Sequence, residues 1–89
     1  MEHQTTAILR RPKVSAMTGM PRSTLYDRIK KGLFVPPISL GARASGWPDD
    51  EVAAINRARI RGASDEELRE LVQRLVGARA TEAAAEAPE

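Results

Sequence analysis

The stretch GMPRSTLYDRIKKG, from Gly19 to Gly32, gathers most of the side chains in this chain that could do chemistry. It holds four cations (Arg22, Arg28, Lys30 and Lys31), one carboxylate (Asp27), the hydroxyls of Ser23 and Thr24 and the phenol of Tyr26. Guanidinium and ammonium groups neutralise phosphates, arginine also reads guanine edges, and hydroxyls bond phosphates or base edges. The Tyr26 phenol can reach a phosphate while its ring covers the core. Leu25 and Ile29, spaced i, i+4, predict a helix with both turned inward. Ser23, Asp27 and Lys30 then point outward. Thr24 and Lys31 lie on one shoulder, Arg22 and Tyr26 on the other, and Arg28 lower on the flank. Such a helix fits the major groove of B-DNA. The same face also reads as a solvated one, with Asp27 and Lys31 as an i, i+4 ion pair.

Elsewhere the chemical inventory is thin. Cysteine is absent, so disulfides and thiolate metal sites are excluded. The one histidine, His3, stands in a polar N-terminal stretch with no second ligand near it, so no metal and no cofactor is expected. Asp49, Asp50 and Glu51 sit together where a helix begins and read as capping charges. With no histidine pair, no phosphate-cradling glycine loop and only three aromatics (Tyr26, Phe34, Trp47), an enzyme is not expected. No apolar run approaches the ~18 residues of a membrane span, and no signal-peptide core opens the chain. The expectation is a cytoplasmic, nucleoid-associated bacterial protein. The net charge of +2 hides a split. Residues 1–61 carry 11 Lys/Arg against 5 Asp/Glu, and residues 62–89 carry 3 against 7. The first part suits a polyanionic partner and the second does not.

The elements that must position these groups follow from punctuation and periodicity. Residues 1–7 read as a flexible tail, with Ile8 and Leu9 as a short lead-in. Pro12 starts a first helix whose Val14 and Met17 form a small apolar face, and Gly19 stops it. Pro21 suits the first turn of the next helix, and Gly32 ends it. Two short helices around a turn holding Gly19 and Met20 give a helix-turn-helix pattern. In LFVPPISLGARASGW two prolines forbid a helix. Ile38-Ser39-Leu40, a GAR turn and Ala44 to Trp47 predict a β-hairpin wing. Pro48 opens a third helix with Val52, Ala53, Ile55 and Ile60 inward, closed by Gly62. Ser64 and Glu67 have capping-box spacing, and Leu68, Leu71, Val72, Leu75 and Val76 form an amphipathic stripe. The predicted fold is mainly α: a winged helix-turn-helix with an additional C-terminal amphipathic helix. Its parts are the tail 1–7, the domain 8–61, the helix 62–79 and a disordered Ala/Glu tail 80–89. The stripe packs on its own domain or makes a homodimer or cooperative array.

The run VSAMTGMPRSTLYDRIKKGLFVPPISLGARASGWPDDEV resembles the AlpA family of phage and prophage regulators, which are small MerR-like winged helix-turn-helix proteins. The resemblance covers residues 8–61 and rests on the combination of pieces. It implies a recognition helix over 22–31 with Arg22, Ser23, Thr24 and Tyr26 on DNA. It also implies a wing over 39–45 with Arg43 at its tip, and a Trp47 ring anchoring that wing. Two positions depart from the pattern. Pro21 replaces a capping serine, and Asp27 replaces a basic or aromatic residue. Asp27 either accepts from a cytosine amino group or pairs with Arg28 or Lys31. The full candidate DNA-binding set adds Arg28, Lys30, Lys31, Ser45, Arg11 and Lys13, with Arg10 also placed for phosphate contact. A wing-tip arginine can enter a narrow minor groove. The expected function is sequence-specific regulation through double-stranded DNA. An excisionase-like factor that bends DNA is the alternative, and a protein-interaction module or antitoxin a third reading.

Overall fold

The computed structural model describes residues 6–86. In chain order the elements are β1 (Ile8–Leu9), α1 (Arg11–Thr18), α2 (Arg22–Lys30), β2 (Ile38–Gly41), β3 (Ala44–Pro48), α3 (Asp49–Arg61) and α4 (Asp65–Glu86). The three strands form one antiparallel sheet in the order β1-β3-β2, so β3 is central. The architecture is a winged helix-turn-helix with an added C-terminal helix.

Glycines set the helix ends. Gly19 (φ 75°) closes α1 by donating its N–H to the Ser15 carbonyl at 2.9 Å. At the end of α2, Gly32 bonds Ile29 while Leu33 N–H reaches the Arg28 carbonyl at 2.8 Å, a Schellman closure. This closure turns Leu33, Phe34 and Val35 straight into the core, where all three are buried. Pro36 and Pro37 then release the chain into β2. Ser64 caps α4 as its spacing predicts: Ser64 N–H donates to Glu67 Oε1 at 2.8 Å, and Glu67 N–H to Ser64 Oγ at 3.2 Å. Pro21 stands one position before α2, with no side-chain cap.

The core is built from Val14, Met20, Leu25, Phe34, Val35, Trp47, Val52, Ile55 and their neighbours. The fully buried Trp47 donates its indole N–H to the Val35 carbonyl at 3.0 Å. That bond ties the central strand of the wing to the loop leaving α2.

Several expectations need correction. Met17 is 40% exposed, and the buried partner of Val14 is Thr18. The Thr18 hydroxyl donates to the Val14 carbonyl (2.8 Å) and accepts from Met20 N–H (3.3 Å), so burial leaves it satisfied. Ile60 is 85% exposed, because α3 turns Val52, Ile55 and Ala58 inward and Ile60 falls on the opposite side. Glu51 is no mere cap. It is buried and receives a bidentate pair from Arg79, at 2.9 and 2.6 Å, while Arg79 also donates to the Pro36 carbonyl at 2.8 Å. The ordered chain begins inside the expected tail: Ala7 exchanges two hydrogen bonds with Asp49 (2.9 and 3.2 Å), and Ile8–Leu9 is a strand. Residues 1–5 lie outside the described residues.

The C-terminal helix also differs. α4 runs through Gly77 to Glu86, beyond the expected end at 79 and into the stretch read as a disordered tail. One glycine inside a helix costs about 1 kcal/mol relative to alanine. The Arg79 anchor and the alanine-rich sequence that follows offset it. Residues 87–89 lie outside the described residues. The amphipathic stripe is used within the chain. Leu68 and Val72 are buried, and Leu71, Leu75 and Val76 pack half-buried on the same core.

Candidate nucleic-acid interface

Three elements converge on one recess. Arg10, Arg11 and Pro12 from the start of α1, Arg22 and Tyr26 from α2, and Arg43 and Ser45 from the wing line a hollow of about 360 Å³. Each position has a local cause. Arg10 is extended (φ −85°, ψ 165°) because it is the N-cap of α1, a position that takes non-helical backbone. Arg22 and Tyr26 are i, i+4 on α2 and share a shoulder. Arg43 stands at the hairpin tip in the left-handed region (φ 63°), beside Gly41 (φ 130°). The strand register shifts there, from Ser39↔Ser45 to Gly41↔Ala44, and this irregularity turns the tip.

Aromatic packing connects the helix to the wing. The Arg22 guanidinium lies 5.5 Å from the Tyr26 ring centroid. The Tyr26 ring in turn meets Trp47 at 6.3 Å between centroids, tilted by 59°. Cation–π and tilted aromatic contacts of this kind contribute roughly 0.5–1.5 kcal/mol each. They hold an otherwise flexible arginine over a fixed ring. Arg11 Nη1 donates to Ser15 Oγ at 3.2 Å, which orients it along α1. Four guanidinium groups thus surround a hollow that contains no carboxylate.

The other candidates lie outside that hollow. Ser23, Thr24 and Lys30 are exposed on α2. Arg28 is half-buried at the base of the same helix. Asp27 pairs with Lys31 at 3.0 Å, both about half-exposed, so the pair is weak and screened. The Lys31 carbonyl accepts Arg69 Nε–H at 2.9 Å, which fastens α4 to the end of α2. Lys13 is exposed on α1 and does not line the recess, whereas Arg10 does. The signal for Arg10 was its place just before the helix start, shared with Arg11. Among the described residues no cluster of His, Cys, Asp or Glu fit for a metal occurs, and no helix is long and apolar enough to cross a membrane.

Residues 7–59 match a protein family described as prophage CP4-57 regulatory protein (AlpA). The chain is also 44% identical over 54 residues to an uncharacterized protein, ORF88, of Enterobacteria phage P4. That match spans 61% of this chain and 61% of the phage protein, so about three-fifths of each is compared. No solved structure matches the chain.

Proposed function

The chain belongs to the AlpA family of prophage regulatory proteins, and from that premise we propose that it is a sequence-specific double-stranded DNA-binding transcriptional regulator. In this reading α2 enters the major groove and the β2–β3 wing meets the neighbouring minor groove or its backbone. The observation that carries it is the arginine-lined recess between them. One sugar-phosphate strand separates a major groove from the adjoining minor groove. A helix in the first and a wing in the second must straddle that strand, and the recess lies between helix and wing.

The residues take separate roles. Arg10, Arg11, Arg22 and Arg43 neutralise the enclosed strand, with the Tyr26 and Ser45 hydroxyls as further donors. Ser23 and Thr24, in the first turn of α2, face the bases, and Arg28, Lys30 and Lys31 follow the backbone farther along. Asp27 is engaged by Lys31, which favours a structural role for its carboxylate over base reading.

The test is selection of random duplex DNA by the purified protein, followed by titration of the selected site at several salt concentrations. A recovered motif whose affinity falls steeply with salt supports the proposal, and absence of binding even at low salt refutes it. The same duplex in a circular-permutation gel assay separates the two uses of this fold. Strong bending favours the excisionase-like alternative, and an unbent complex favours plain regulation.

A further inference from the structure

We propose that the corner where α3 ends and α4 begins is a self-association surface that takes the same corner of a second copy of this chain. Its centre is Ile60, at 85% exposure the most exposed large apolar side chain among the described residues. Met17, 40% exposed, stands beside it, and together they border an open recess of about 340 Å³. The polar groups of that recess are already engaged. Asn56 Nδ2–H donates to the Met17 carbonyl and Arg59 Nη1–H to the Thr18 carbonyl, each at 2.9 Å. These bonds cap the open end of α1 and engage Asn56 and one terminal nitrogen of Arg59. What remains for a partner is the aliphatic surface of Met17 and Ile60 beside the Arg59 guanidinium.

Charge identifies the partner. Arg57 and Arg61 lie on the α3 side of Ile60, exposed and spaced i, i+4. Asp65 and Glu66, also exposed, lie across the short Gly62–Ser64 connection on the α4 side. None of the four has an ion-pair partner among the described residues. Arginines at i, i+4 repel one another within their own helix. Along the chain an exposed aliphatic is thus flanked by a cationic pair on α3 and an anionic pair at the start of α4, an order that complements itself when two such corners meet head to tail. An isologous pair would seat Ile60 against the partner's Met17–Ile60 hollow and set each arginine pair across from the partner's acidic pair. The central apolar contact is small, so the association is weak in free solution and strengthens when two copies are held close together.

The experiment uses the full chain without DNA, so its result does not depend on the proposed function. Sedimentation velocity is run over a range of protein and salt concentrations. The parent is expected to show a concentration-dependent dimer that weakens as salt rises. The Arg57→Glu/Arg61→Glu variant and the Asp65→Arg/Glu66→Arg variant should each need at least about tenfold more protein to associate. The second variant leaves the Ser64–Glu67 capping box in place, and circular dichroism confirms that both variants fold. An equimolar mixture of the two should dimerise again, because positions 57, 61, 65 and 66 are then all acidic in one chain and all basic in the other. Ile60→Ser should weaken the parent's dimer without lowering its melting temperature. A parent that stays monomeric throughout, charge variants that associate like the parent, or a mixture that stays monomeric would each overturn the proposal.

Discussion

At the scale of single residues, two side chains test the structure in opposite ways. Arg22 is held over Tyr26 at the mouth of the recess but contributes nothing to the buried core. Arg22→Ala should lower the melting temperature by only a few degrees, for the lost contact with Tyr26, and should weaken selected and unrelated duplexes about equally while making the salt slope about one unit shallower, read by titrating both duplexes over a salt series. Gly46 is the converse case. A Cβ there would sit 2.6 Å from Ile8 Cγ2 and 2.9 Å from the Leu9 carbonyl, with Leu40 Cδ1 at 3.2 Å. Strand β1 therefore runs beside β3 so closely at Gly46 that only hydrogen fits. Gly46→Ala should destabilise the protein by roughly 1–3 kcal/mol in a denaturant titration, since backbone as well as side chain must give way. Tyr26→Phe should be milder than Tyr26→Leu in duplex affinity, because the phenyl ring retains the contacts with Arg22 and Trp47 while leucine does not.

At the scale of elements, the helix ends marked by glycine or by the capping box were legible, and the end of α4 and the long-range fastenings were not. Gly19, Gly32, Gly62 and the Ser64–Glu67 box each announce a boundary by local backbone chemistry, and the hairpin around Arg43 follows from strand alternation and turn composition. The Arg79–Glu51 pair joins residues 28 positions apart, and no local pattern encodes that distance. Met17 and Ile60 look apolar, so pattern reading turned both inward, and it passed over Thr18, which is buried. A hydroxyl bonded to its own helix can be buried, and an aliphatic can be left outside. Of the recess, the arginines and Tyr26 were all visible as residues, but their meeting point depends on how α1, α2 and the wing pack. The Arg79 fastening makes its own prediction. Arg79→Ala leaves a buried carboxylate unpaired and should lower stability by about 3 kcal/mol, measured as a drop in the denaturation midpoint. Arg79→Ala/Glu51→Gln should recover part of that loss, because the stranded charge is gone.

At the scale of the whole molecule, charge is divided by function. The basic excess lies in residues 1–61 and the acidic excess in residues 62–89, a split that suits the proposed polyanionic partner at the first part. With the recess arginines as the minimum set of phosphate contacts, a plot of log affinity against log salt should have a slope of roughly −3 to −4 or steeper. Arg43→Ala should make that slope about one unit shallower, which a salt series on one duplex would show. The division has a further result. Of all the side chains on α2, only Leu25 is fully buried, with Ile29 half-buried beside it. Ser23, Thr24, Asp27 and Lys30 are exposed, and the helix is fixed at its far end by the Leu33 backbone N–H and the Arg69 side chain, donating to the carbonyls of Arg28 and Lys31. Under the proposed DNA-binding function, α2 is thus a replaceable cassette. Its outward letters can be rewritten toward a new operator while the frame that holds them keeps its shape.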